Sequence, residues 1–155
     1  MLWDYGWFDQ SRFAVDGRCD SDTEVLAAFL KSPIAARSFC SSPDPWGADV
    51  GRHGPLLTGS CDARWFAQLG PDDFVSHIES VFRDSGFDDL PTARQRRTVD
   101  AWVDDALRRR DSVFLLSPPD DARIRVDWDV WGLFVEFLCL DSEHQHLAVG
   151  VIGYD

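Results

Sequence analysis

Few residues in this chain have the type and spacing to do chemistry. His144 and His146 stand two apart with Glu143 beside them. At a strand end or hairpin turn, His-x-His aims two imidazoles to one side. That is half of a zinc site, and a third and usually a fourth ligand must come from elsewhere. No Cys-x-x-Cys accompanies them, and His53 and His77 stand at no ligand spacing. Two exposed turn histidines are the simpler reading, and no metal is expected. Cys40 and Cys61 flank a segment containing His53. A thiol and an imidazole can meet in space as nucleophile and base although they are distant in sequence. The competing reading is packed cysteine, one of the most buried residue types. The chain holds no Gly-x-Ser-x-Gly elbow, no phosphate-cradling glycine loop followed by lysine and no dinucleotide fingerprint. No catalytic residue and no cofactor is therefore assigned.

Glu136 lies in the apolar stretch from Leu133 to Leu140. A carboxylate buried there must be ion-paired, hydrogen-bonded or protonated. A salt bridge to one of the arginines is the structural expectation; a site residue of perturbed acidity is the functional one. Two acidic-aromatic groups are candidate partner-binding residues: Asp4, Trp7 and Asp9 near the N-terminus, and Asp127, Asp129 and Trp131 on a later strand. Trp46, between Cys40 and Cys61, is a further candidate anchor. Aromatic anchors ringed by charge make interface hot spots, and they also make ordinary sheet surface beneath a helix. The pairs Asp72-Asp73, Asp88-Asp89 and Asp120-Asp121 fall at expected helix starts and turns, where capping explains them.

Charge is the chain's most distinctive property. Its 155 residues carry 27 acids against 15 bases, a net charge of −12; 23 of the acids are Asp, and Lys31 is the sole lysine. Such a field repels nucleic acid and anionic membrane and speeds encounter with a basic protein. The preference for Arg over Lys reads as the codon supply of a GC-rich bacterial genome. With 45% hydrophobic and 13% aromatic residues, the chain can build a core and is not a disordered acidic tail. No apolar run approaches the ~20 residues that span a bilayer. The N-terminus lacks the basic region and small-residue cleavage site of a signal peptide. A cytoplasmic location is expected, with the four cysteines reduced.

The elements that must position these residues follow from periodicity. Residues 2–8 read as a short aromatic strand, interrupted at Gly6. Ser21 and Glu24 have capping-box spacing ahead of a helix whose face is Val25, Leu26, Phe29 and Leu30, ended by Pro33. From Cys40 to Cys61, seven Gly and Pro residues leave room only for turns or short strands. Pro71 starts a second helix with the stripe Phe74, Val75, Ile78, Val81 and Phe82. A third begins near Pro91 and Thr92, with Gln95 at capping-box distance and Val99, Trp102, Val103, Ala106 and Leu107 inward. On its outer side Arg97, Asp100, Asp104 and Arg108 sit three or four apart, and Asp105 precedes Arg109 by four, as ion pairs would. The period then becomes two. Residues 113–116, 124–140 and 147–154 read as consecutive antiparallel strands, with a bulge at Gly132. The expected fold is a single α+β domain over residues 1–155: helices packed on one face of an antiparallel sheet that ends in a C-terminal meander.

Small size, acidity and the absence of catalytic motifs describe a protein-binding inhibitor. The leading expectation is a bacterial toxin immunity protein covering a basic, nuclease-like partner. A nucleic-acid mimic with carboxylates spaced like phosphates is a variant of the same idea. The alternative is an enzyme of unfamiliar sequence, with its site under the Cys40–Cys61 loop and built from His53, a cysteine and nearby Asp.

Overall fold

The computed structural model describes residues 6–15, 17, 19–35, 52–54, 56–57, 61–84, 90–119, 122 and 133–154. Among them the elements run β1 (Gly6–Ala14), α1 (Asp22–Lys31), β2 (Arg52–His53), β3 (Leu56–Leu57), a 3-10 turn (Ala63–Trp65), β4 (Phe66–Leu69), α2 (Pro71–Asp84), α3 (Ala93–Arg109), β5 (Ser112–Leu116), β6 (Leu133–Leu140) and β7 (His146–Tyr154). The fold is α+β, as composition and periodicity imply. One five-stranded sheet has the order β1-β7-β6-β5-β4 with every described pairing antiparallel, and β2 and β3 form a separate hairpin. β5, β6 and β7 are the expected meander.

The helices start where their caps put them. Ser21 accepts from the Glu24 N–H at 3.3 Å. Glu24 reaches back one residue beyond a standard capping box, to the Asp20 N–H at 2.7 Å. At α3 the box is complete between Thr92 and Gln95; such a cap contributes about 1 kcal/mol. α1 stops at Lys31 because Pro33 forces the preceding Ser32 into extended backbone. α3 ends on Arg110 at φ 58, with the Asp111 N–H bonded to the Ala106 carbonyl at 3.1 Å.

Strand alternation splits the core into two. Leu133, Val135, Phe137 and Cys139 of β6 face α2 and α3, together with Val113, Ala148 and Ile152. Leu138 and Leu140 face the other way, with Phe114, Leu116, Leu147, Val149 and Val151, against α1 and the hairpin. α2 and α3 thus share one face as expected, whereas α1 covers the opposite face. The reason is in the strands: β6 and β7 are apolar on both sides, and each side needs a cover. Gly150 of β7 lets the Trp102 indole of α3 lie against the backbone, where any Cβ would come within 2.7 Å of the ring.

Three local expectations change. The first strand is not interrupted at Gly6 and continues past Phe8 to Ala14, since pairing with β7 from Gly6 to Ala14 carries it through the polar residues Asp9, Gln10 and Arg12, while residues 2–5 lie outside the described residues. β4 was not expected, because four residues are too few to show a period. The ladder along α3 also differs. Arg96 holds Asp100 at 3.2 Å and Glu79 of α2 at 2.6 Å. Arg108 and Arg109 both take Asp105, and Arg109 also takes Asp111 at 2.8 Å. Asp104 has no ion-pair partner among the described residues. The Gly132 bulge and the stretch 124–131 lie outside the described residues.

Candidate functional site

Among the described residues, a fully buried cluster of chemistry-bearing groups lies beneath the hairpin. β2 and β3 pair through His53↔Leu56. Gly54 turns the chain at φ 55, which disfavours any other residue, and a Cβ there would collide with the Phe134 ring. That close approach seats the hairpin on β6 and drives His53 into the sheet face. His53 and Glu136 are both 0% exposed. The His53 Nε2 lies 2.5 Å from Glu136 Oε2, and Nδ1 lies 2.9 Å from the Ala35 carbonyl. Phe29 and Phe134 flank the imidazole edge-to-face at 5.8 and 6.5 Å. Ala35 is brought there by the turn after α1, in which Ser32 Oγ donates to the Phe29 carbonyl at 2.7 Å and accepts from the Ala35 N–H at 3.4 Å.

Hydrogen-bond chemistry fixes the protons. A carbonyl only accepts, so Nδ1 carries a hydrogen. Nε2 facing a carboxylate oxygen at 2.5 Å must then share a second one with it, for otherwise two acceptors would face each other. Burial pulls the imidazole pKa down, but the attraction of Glu136, its hydrogen bond and the Ala35 carbonyl outweigh this and raise it above 6.5. Glu136 is therefore ion-paired as expected, but to a histidine from the Gly/Pro-rich loop and not to an arginine. Even residues of β6 face α1 and the hairpin, whereas Arg96 and Arg109 are engaged on α3.

Cys61 lies within electrostatic reach of this pair. Burial, reinforced by the Glu136 charge, pushes its thiol up to about 11. Cys139 is pushed up to about 12 by burial, with Asp111 adding and Arg109 opposing. A catalytic thiol needs a lowered pKa and a base with an available nitrogen. Here the thiols are held protonated, and both nitrogens of His53 face oxygens. Cys19, Cys61 and Cys139 are thiols, outside any disulfide. The arrangement suits packing and fastening better than nucleophilic attack.

The histidine turn does not gather ligands. His144, at φ 55, binds Asp22 of α1 through Nε2 at 2.8 Å, while His146 Nδ1 binds Asp141 at 2.8 Å. Burial raises the Asp141 pKa, but the bonds from His146 and the Gln145 N–H bring it below its ordinary value. No group of three metal-ligating side chains occurs among the described residues.

Of the expected partner-binding residues, Trp7 is 8% exposed, packed in the α1-side core with its indole over Gly153. Asp9, two residues on, is exposed. Asp4, Trp46, Asp127, Asp129 and Trp131 lie outside the described residues. Sequence reasoning missed the His53–Glu136 contact, whose partners are 83 positions apart; the only signal was one carboxylate in an apolar strand.

Comparison with known proteins adds little. No protein-family model matches the chain, and no curated protein is detectably similar to it. A crystal structure of citrus MAF1 superimposes with a TM-score of 0.46 at 7% identity, over 99% of this chain and 90% of that one. A likeness that remote transfers no function.

Proposed function

We propose that this protein is an acidic binding inhibitor that covers a basic partner, in the manner of an immunity protein held against a nuclease-like toxin. The observation carrying the reading is the end of the sheet where α1 begins and the β6–β7 turn closes. Asp22, Glu24, Asp141 and Glu143 gather there, tied together by the His144–Asp22 contact at 2.8 Å. Among the described residues none of the four is paired with an arginine or lysine; the only ring or charged side chains that touch them are His144 on Asp22 and His146 on Asp141. Four described arginines are meanwhile held by acids of their own chain. A net charge of −12 therefore presents an acidic end that can steer a basic protein into encounter. The enzyme alternative would need His53 to serve a thiol, and both of its nitrogens are already engaged.

The test is capture of the partner from the native host, followed by rate measurements over a salt series. The partner should be basic. Its association should slow markedly as salt passes the range where the Debye length is ~8 Å, with dissociation changing less. An acidic or neutral partner whose association ignores salt would overturn the reading.

A further inference from the structure

Charge steers encounter, but steering alone does not hold a complex together, which takes an apolar anchor as well. The outer side of the α2–α3 pair sets an apolar floor directly beside carboxylates. The apolar stripe of α2 is wider than the sheet can cover. Phe74, Ile78, Val81 and Phe82 are buried, but Val75 remains 39% exposed. It opens onto a groove of about 320 Å³ lined by Val75, Ile78, Val103 and Leu107, with Glu79, Asp100 and Asp104 along its rim. The sole base in the lining, Arg96, is pinned: it stacks over the Phe82 ring at 4.6 Å and is held by Glu79 and Asp100. Asp104 is exposed and makes no ion pair among the described residues, because Arg108 turns to Asp105 instead. An aliphatic floor under a rim of three carboxylates and one neutralised guanidinium matches one kind of side chain in particular. Lys and Arg bury an apolar stem while their charge reaches outward.

Building on the inhibitor reading, we propose that the α2–α3 groove is the docking site for a basic amphipathic helix of the protein partner. An aliphatic residue would pack on Val75, Ile78, Val103 and Leu107, and a Lys or Arg one turn away would pair with Asp104. Helices commonly enter such grooves with anchors at i and i+4. Charge complementarity selects this occupant: a second copy of the chain would bring the same acidic rim to the groove, and like charges facing each other are unfavourable.

The test titrates the full-length protein with a capped helical peptide of Ala, Leu and Lys, following backbone amide shifts. A peptide with Glu in place of Lys is the control. The basic peptide should shift amides of α2 and α3 around Val75 and Asp104, and the acidic one should not. Val75→Ser should weaken binding several-fold through lost apolar contact, and Asp104→Asn roughly two- to five-fold, the range of an exposed ion pair. Both positions are exposed, so the variants should keep the wild-type spectrum elsewhere. Shifts confined to Asp22, Glu24 and Glu143 would overturn the groove while leaving the inhibitor reading standing. Equal binding of the acidic peptide would overturn both. Concentration-dependent shifts at the groove without peptide would identify a second copy as the occupant and overturn the proposal. So would absence of binding by the basic peptide, in which case the inhibitor reading still rests on its own salt series.

Discussion

The two faces of the sheet solve the same problem with different materials. On one, α2 and α3 bring Phe74, Ile78, Phe82, Val99, Trp102 and Ala106 onto Phe137, Cys139, Ala148 and Ile152, with the Arg109–Asp111 pair, its arginine part-exposed, beside Cys139. On the other, the described residues that cover Leu138, Leu140, Val149 and Val151 are a ten-residue helix, a 3-10 turn and a two-plus-two hairpin. That cover includes a fully buried ion pair. The contrast shows what an irregular cover requires. A helix positions its apolar stripe through its own hydrogen bonds, whereas a four-residue hairpin has almost none and takes its position from Gly54 against Phe134 and from His53 on Glu136 and Ala35.

The largest effects should come from breaking each face where it is least forgiving. Phe137→Ala should cost about 3–5 kcal/mol through lost burial and the cavity left among Phe74 and Trp102. His53→Leu should cost a similar ~3–5 kcal/mol, for another reason: it leaves the Glu136 carboxylate buried without its proton-sharing partner. The faces separate on rescue. Adding Glu136→Met to His53→Leu should return stability to within about 1 kcal/mol of wild type or above it, because apolar replacements of similar volume remove the unpaired charge. No polar change rescues Phe137→Ala. Urea unfolding of the four proteins measures all of this, and a double variant no more stable than His53→Leu alone would remove the distinction.

A smaller effect distinguishes the faces by pH. The folded-state pKa of His53 is raised, so the native protein binds more protons than the unfolded one between 6.5 and that raised value. Stability from the pair is then complete below about pH 6.5 and declines as pH rises through the folded pKa. Unfolded Cys61 and Cys139 are half-ionised near 9, and His77, whose pKa burial lowers, acts in the opposite direction up to about 6.5, so the range from pH 7 to 8 is the window for His53. Urea midpoints should fall across that range in wild type and stay flatter in His53→Leu/Glu136→Met. A flat wild-type profile would mean that the pair carries no proton difference.

The smallest expected effect concerns the thiols. With Cys61 at about 11 and Cys139 at about 12, alkylation of the native protein at pH 7.5 should be slow at both, slower still at buried Cys139, and fast for both in urea. Site-resolved mass spectrometry gives the rates. Rapid native modification of Cys61 would reopen the nucleophile reading.

Which parts of this were legible follows the same division. α1, α2 and α3 announce themselves through Ser21, Pro71 and the Thr92–Gln95 box, and the meander through alternation, since each signal sits within a few residues of its consequence. The α1-side cover was hidden because its determinants are long-range. Nothing near His53 points to Glu136, and nothing near Asp22 points to His144. The α3 ion pairs were wrong in detail for a related reason: spacing allows Arg97–Asp100 and Asp104–Arg108, but Glu79 on the neighbouring helix draws Arg96 into the ladder instead. Val75 belonged to the α2 stripe by period, and only the packed structure shows that the sheet does not reach it.

On the reading proposed above, the buried His53–Glu136 pair holds the fold and recognition lies in charge outside it. The most direct test of that claim is the association rate of the captured basic partner with three proteins: wild type, His53→Leu/Glu136→Met, and a variant with Asp22→Asn, Glu24→Gln and Glu143→Gln. The double variant should associate at the wild-type rate, while the neutralised variant should associate several-fold more slowly at low salt and converge on wild type as salt rises. A folded double variant that no longer engages the partner, beside a neutralised variant that associates at the wild-type rate, would contradict the claim and place the function beneath the hairpin.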